Sequence, residues 1–150
     1  MQLTESIRSI LKQKSGVVCS ISPSSSVYAA IAMMAEKQVG ALVVMFEEKI
    51  VGIVSERDYA RKVILKGRSS KETTVSEIMS SPVIVVSPEH SVVECMKIIS
   101  ERHIRHLPVM EQERLAGIIS IGDLVNWILS AQSETIRHLE AYITGTPTIS

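Results

Sequence analysis

From Val27 onward the apolar residues Val27, Ala30, Ile31 and Met34 fall at i, i+3, i+4 and i+7, the stripe of an amphipathic helix. Ser26 stands before it as the N-cap. The period then changes. Val39 to Phe46 and Lys49 to Ser55 are β-branched-rich runs separated only by Glu47-Glu48, which predicts a hairpin. Val17 to Ile21 predicts a strand ahead of the helix, with Pro23 and its serines as the turn between them, and Arg57 to Lys66 predicts a helix after the hairpin. Leu3, Ile7, Ile10 and Leu11 give residues 3–13 helical spacing, with a stop at Gly16.

The same pattern returns 65 residues later. Residues 19–64 fall on 84–129 without a gap, and thirteen of the 46 aligned pairs are identical. Ser22-Pro23 lands on Ser87-Pro88, Ser26-Val27 on Ser91-Val92, and Gly52-Ile53-Val54-Ser55 on Gly117-Ile118-Ile119-Ser120. The second copy predicts a strand at Val83–Val86, a helix opened by the capping box Ser91-Val92-Val93-Glu94, a hairpin over 107–119 and a helix from about Asp123 to Ser130. Each copy is β-α-β-β-α, an α/β (α+β) arrangement. Two copies are too few for an open solenoid, which needs about three, so they predict a closed pair about a pseudo-two-fold axis with equivalent clefts between the copies.

This divides the chain into residues 1–66 (leading helix and repeat 1), a polar linker 67–81, repeat 2 over 82–131, and a tail 132–150. Within the linker Val75 to Met79 predicts one short helical turn. The tail predicts a separate amphipathic helix, Glu134 to Ile143, ended by Gly145 and Pro147.

The doubled motif Gly-h-h-Ser-x-x-Asp, where h is aliphatic, carries the chemistry. Its Ser sits where a strand gives way to a helix, and its Asp lies in the first helical turn. A Ser hydroxyl with free N–H groups at a helix start suits a phosphate, and an Asp three residues on suits a vicinal diol such as that of ribose. Ser and Asp in these places are also ordinary helix caps. The doubling at one offset favours a shared ligand role for Ser55 and Asp58, and for Ser120 and Asp123.

Composition narrows the function classes. The apolar fraction is 45%, aromatics are 3%, and 16 Lys and Arg balance 16 Asp and Glu. A core of Ile, Val, Leu, Met and Ala is therefore expected, without the basic excess of a nucleic-acid binder. The apolar runs are too short to cross a bilayer, and the N-terminus lacks the features of a secretory signal. A cytoplasmic protein is expected. Cys19 and Cys95 read as buried free thiols. His90, His103 and His138 have no metal-site spacing with one another, and His103-x-x-His106, which could share a helix face, falls where a strand begins, so a metal site is not expected. A P-loop, a G-x-S-x-G elbow and paired metal carboxylates are all absent, so an enzyme is not expected.

With h-x-Ser-Pro opening each copy, Gly-Ala-Leu-Val-Val or His-Ile-Arg-His-Leu-Pro-Val before each hairpin and Gly-h-h-Ser-x-x-Asp after it, residues 15–130 resemble a tandem pair of cystathionine β-synthase (CBS) domains, a Bateman module, of the stand-alone bacterial signal-transduction kind. The resemblance implies a regulatory module that binds an adenosine compound (AMP, ADP, ATP, S-adenosylmethionine or NAD) and forms a face-to-face homodimer. It has no catalytic residues and acts through an unknown protein target. It implies that Asp58 and Asp123 hold ribose hydroxyls and that Ser55 and Ser120 touch phosphate or ribose. The adenine would lie between Ser20-Ile21 and Ala41-Leu42, or between Val85-Val86 and His106-Leu107, with Pro108 alongside. Repeat 1 carries Arg57, Arg61 and Lys62 around Asp58 where repeat 2 has Gly122, Asn126 and Trp127, while Arg105-His106 replace Gly40-Ala41. Ligand phosphates would then meet Arg57 and Arg105. A ligand-free dimerisation module is the main alternative, and a nucleotide hydrolase a remoter one.

Overall fold

The computed structural model describes residues 5–14 and 18–144, the side chains of 133–136, 138, 142 and 144 excepted. The elements in order are α1 (Arg8–Gln13), β1 (Ser20–Ile21), α2 (Val27–Lys37), β2 (Ala41–Phe46), β3 (Lys49–Ser55), α3 (Glu56–Tyr59) running on into a π-helical turn (Ala60–Ile64), α4 (Val75–Ile78), α5 (Val92–Arg102), β4 (His106–Glu111), β5 (Arg114–Ser120) and α6 (Ile121–Thr144). Two compact units form, one from residues 18–85, the other from residues 5–14 together with 86–144.

In the first unit β1 pairs parallel to β2, and β2 pairs antiparallel to β3. Ser26 caps α2 by accepting from Ala29 N, and Gln38 ends the helix in the left-handed region at φ 57°. The two-residue hairpin holds Glu47 and Glu48 at φ 50° and 66°, the paired positive angles that match the twist of adjoining strands. The α2 stripe buries Val27, Ala30 and Met34 in one core with Leu42, Val44, Val54, Val63, Val75 and Ile78. Full burial of each such larger side chain is worth roughly 1.5–3 kcal/mol.

The second unit repeats the caps and the hairpin around a two-stranded antiparallel sheet of β4 and β5. Ser91 and Glu94 form the predicted capping box, His103 ends α5 at φ 55°, and Gln112 and Glu113 turn the hairpin at φ 51° and 65°. Even the β-bulge recurs, between Val44 and Met45 in one sheet and between Val109 and Met110 in the other. Ile7, Val92, Cys95, Ile99, Leu107, Val109, Ile119 and Leu124 are buried.

Four expectations are corrected. The strand predicted at Val83–Val86 is reduced to one parallel bridge, Val86 to Val109. In the first unit Val43 N donates to Cys19 O; the equivalent of Val43 is Pro108, which has no N–H to give. The two helices predicted at 123–130 and 134–143 are one helix, α6, because the stretch between them holds neither Gly nor Pro. Repeat 1 instead ends its helix near Gly67, at φ 67°, whose repeat-2 equivalent is Gln132. The helix predicted from Arg57 to Lys66 is an α-turn followed by a π-turn. Finally, α1 packs with residues 86–144, not with the repeat it precedes: Ile7 N and Arg8 N donate to His90 O and Pro88 O, at 2.8 and 3.2 Å. Residues 1–4, Gly16, Val17 and the stop at Gly145 and Pro147 lie outside the described residues.

Candidate functional site

Both Ser-x-x-Asp motifs stand at the strand-to-helix junction, as predicted. Ser55 leaves β3 in extended conformation and caps α3. Its Oγ accepts from Asp58 N (3.1 Å), while Asp58 Oδ2 accepts from Ser55 N (2.9 Å) and Ser55 Oγ (3.0 Å). In the second unit Asp123 N donates to Ser120 Oγ (3.1 Å) and Ser120 N to Asp123 Oδ2 (2.8 Å). Each pair closes a reciprocal cap that fixes the carboxylate against the backbone. The helix start is also tied to the residue before the hairpin, Glu56 N to Gly40 O and Ile121 N to Arg105 O.

Each aspartate has a lysine, and the lysines come from different places. Lys62, four residues on in the same helix, lies 3.1 Å from Asp58 Oδ1 and donates to Ile78 O. Repeat 2 has Trp127 at that position, and its ammonium comes from the residue that follows α1: Lys14 Nζ donates to Asp123 Oδ2 and to Ile118 O, both at 2.8 Å. Asp58 is therefore engaged through both oxygens. Among the described residues Asp123 is engaged through Oδ2 alone. Burial raises the Asp123 pKa, but the bonds from Lys14 and Ser120 N outweigh it and hold the carboxyl below its ordinary value.

The segments that approach these junctions are themselves a repeat. Val27 N donates to Thr73 O as Val92 N does to Glu5 O; Val75 N donates to Ser25 O as Ile7 N does to His90 O. The bridges Ser26–Thr74 and Ser6–Ser91 match as well. Residues 5–11 thus correspond to 73–79, at an offset of 68 instead of 65. A Cβ on Gly52 would meet Met79 Sδ at 2.5 Å, and one on Gly117 would meet Leu11 Cδ2 at 2.7 Å. At Gly52 a Cβ would also meet Ser80 O at 3.1 Å, whereas at Gly117 only the tip of Leu11 would have to move. The sequence signal was present in Ser6-Ile7-x-x-Ile10-Leu11 against Thr74-Val75-x-x-Ile78-Met79, but the shift of three residues hid it from a gapless alignment.

The remaining predicted residues divide between the units. Arg57 and Arg61 are exposed in the first, and Arg105 is exposed in the second. Ser20 is exposed, while Ile21, Ala41 and Leu42 are buried along β1 and β2. Val85 is exposed and Val86 and Pro108 are buried; His106 is half-buried. Val86 donates its N–H to Pro108 O and accepts from Met110 N, so that N–H is not free to read a heterocycle edge. His90 is a turn residue, its Nδ1 accepting from Ser87 N at 3.0 Å. Among the described residues no cluster of His, Cys, Asp or Glu could hold a metal ion, and no helix is long and apolar enough to cross a membrane. Burial pushes the Cys95 thiol up to about 11.

The sequence pattern of the CBS domain matches residues 14–65 and 75–130. The chain is 41% identical over 125 residues to the mitochondrial CBS domain-containing protein CBSX3 of Arabidopsis thaliana, covering 80% of this chain but only 61% of that protein. Among solved structures it resembles a signal-transduction protein with CBS domains from Burkholderia ambifaria MC40-6, with 47% identity and a TM-score of 0.81, covering 85% of this chain and 96% of the other. A hexameric CBS-CP12 protein from bloom-forming cyanobacteria has 33% identity and a TM-score of 0.73, covering 80% and 70% of the two chains.

Proposed function

The chain belongs to the CBS-domain family, and on that premise we propose that it is a regulatory module whose two Ser-x-x-Asp sites take adenosine-containing nucleotides. One observation carries the reading: the same half-buried Ser and Asp pair, rigidly held, is rebuilt at the same junction in both units. A carboxylate fixed by its own cap presents its remaining lone pairs in a set direction, and a vicinal diol can meet it without further ordering of the side chain. Arg57 and Arg61 beside Asp58, and Arg105 with His106 ahead of β4, are the groups proposed to meet ligand phosphates. The ligand classes are AMP, ADP, ATP, NAD and S-adenosylmethionine, and the output runs through a partner protein.

Thermal unfolding with each of these compounds tests the reading. A ligand at 100 times its dissociation constant adds about 2.7 kcal/mol of stability. A second reading, a dimerisation module with no ligand, draws support from Asp58, whose oxygens are both engaged by Ser55 and Lys62. The absence of a shift with every compound favours that second reading.

A further inference from the structure

The formal charge of the chain is zero, but the charges are not spread evenly along it. Residues 57–71 hold six basic residues, Arg57, Arg61, Lys62, Lys66, Arg68 and Lys71, against the single acid Asp58, a net +5. The remaining residues hold ten basic and fifteen acidic side chains, a net −5. Shifted by 65, the six basic positions fall on Gly122, Asn126, Trp127, Ala131, Ser133 and Ile136, all neutral, while Asp58 keeps its equivalent in Asp123. The second unit builds its own helix at this place without the cations, so the fold does not require them.

All six basic residues are exposed, and the backbone that carries them is tied down. Gly67 N donates to Ile64 O at 3.1 Å, Arg68 N to Val63 O at 2.9 Å, and Tyr28 N to Ser70 O at 2.9 Å. Thr73 Oγ1 donates to Ser69 O at 2.7 Å. Lys62 stands beside Asp58 and Arg68 beside Glu77, and Lys71 Nζ lies 5.0 Å from the centre of the Tyr28 ring. Glu56 and Glu72 border the stretch without pairing with its cations. Among the described residues Arg57, Arg61 and Lys66 have no ion-pair partner. Like charges one helical turn apart, as at Arg57 and Arg61, oppose helix formation, so packing does not account for the cluster.

We propose that Lys66, Arg68 and Lys71 form a docking site for a short acidic segment of a partner protein. The proposal rests on the output through a partner protein stated above and not on a bound nucleotide, whose phosphates are assigned to Arg57 and Arg61. Long polyanions fit this surface less well. A nucleic-acid duplex or an anionic bilayer extends far beyond the Debye length of about 10 Å at 0.1 M salt and would meet the net negative charge of the remaining chain. A short run of Asp and Glu meets the basic stretch alone, where complementary charge steers association and turns wrong partners away.

A fluorescein-labelled octaglutamate peptide is the probe, titrated with the full chain and followed by anisotropy. Saturable binding is expected at low salt, weakened at least tenfold by about 1 M salt, where the Debye length falls to about 3 Å. Lys66→Glu combined with Lys71→Glu should weaken binding at least tenfold. Lys97→Glu combined with Arg102→Glu makes the same change of net charge on exposed positions of α5 and should leave binding within about twofold, as expected for screened charges. Equal losses in the two double variants overturn the proposal, because net charge alone would then explain the binding. Tighter binding of a single-stranded oligonucleotide of equal charge, or of phosphatidylglycerol vesicles, overturns the acidic protein segment as the partner. Absence of peptide binding, with nucleotide-induced thermal shifts intact, overturns the docking site and leaves the nucleotide reading standing. Peptide binding of the expected pattern without any such shift supports the docking site and counts against the nucleotide reading.

Discussion

Lys14 Nζ lies 2.8 Å from Asp123 Oδ2, and this contact joins the end of the leading helix to the start of the last one. Repeat 1 makes its counterpart within a single helix, from Lys62 to Asp58. The two sites thus have the same cap and the same pairing of charges, but only the second depends on a segment from the other end of the chain.

That dependence gives a pH signature. Asp123 is held below its ordinary value in the folded protein, so the unfolded state binds a proton more readily. Its contribution to stability is fully present above the ordinary carboxylate pKa of about 3.9 and is lost as pH falls through the lower folded value. Denaturant unfolding of Asp123→Asn should show a smaller loss of stability below about pH 4 than the wild type. Lys14→Met should flatten the same limb. Equal acid slopes in all three proteins would show that the pairing contributes nothing to folding.

The two glycines that admit the approaching segments should respond unequally to alanine. At Gly52 the new Cβ meets Met79 Sδ and Cγ at 2.5 and 2.9 Å and Ser80 O at 3.1 Å. A backbone atom is among these, so Gly52→Ala should cost about 1–3 kcal/mol, as overpacking does. At Gly117 the one close neighbour is the tip of Leu11, at 2.7 Å. Gly117→Ala should cost less, and Leu11→Ala should absorb the clash in the double variant. Urea midpoints measure both, and a Gly117 variant as unstable as the Gly52 one would contradict this account.

Ligand binding should separate by repeat. A lost hydrogen bond to a charged group costs on the order of 1.5–3 kcal/mol, or roughly ten- to a hundredfold in affinity. Asp58→Ala should weaken one class of site by that factor and Asp123→Ala the other, in calorimetric titrations with AMP and NAD. Unchanged binding in the double variant would remove both aspartates from the site.

The two thiols should differ in reactivity. Cys95 is fully buried, with its pKa pushed up to about 11, whereas Cys19 is half-buried. Only a thiolate reacts with a disulfide reagent. At pH 8 Cys19 should be modified first and Cys95 only on unfolding, as mass spectrometry of the native protein would show.

Self-association remains a proposal drawn from the helical faces. Tyr28, Ile64 and Leu65 in one unit and Val93 and Leu129 in the other are exposed apolar side chains on helical segments, the kind of residue that an interaction surface buries. Sedimentation at micromolar concentration should find a dimer, and a single species at 16.5 kDa would refute it.

The sequence by itself determined what depends on local periodicity and local chemistry. The helix stripe of α2, the hairpin at Glu47-Glu48, the Ser91 capping box and the Ser-x-x-Asp junctions are set by neighbours a few residues apart, and their doubling made them legible. Tertiary structure decided what depends on which distant segment fills a gap. It set Met79, after α4, against Gly52 in repeat 1 and Leu11, in α1, against Gly117 in repeat 2. Pro108, lacking an N–H, reduced the strand predicted at Val83–Val86 to one bridge. The supply of an ammonium to Asp123 by Lys14, 109 residues away, is likewise invisible to any local pattern, since a charge pair across such a span exists only once the chain has folded.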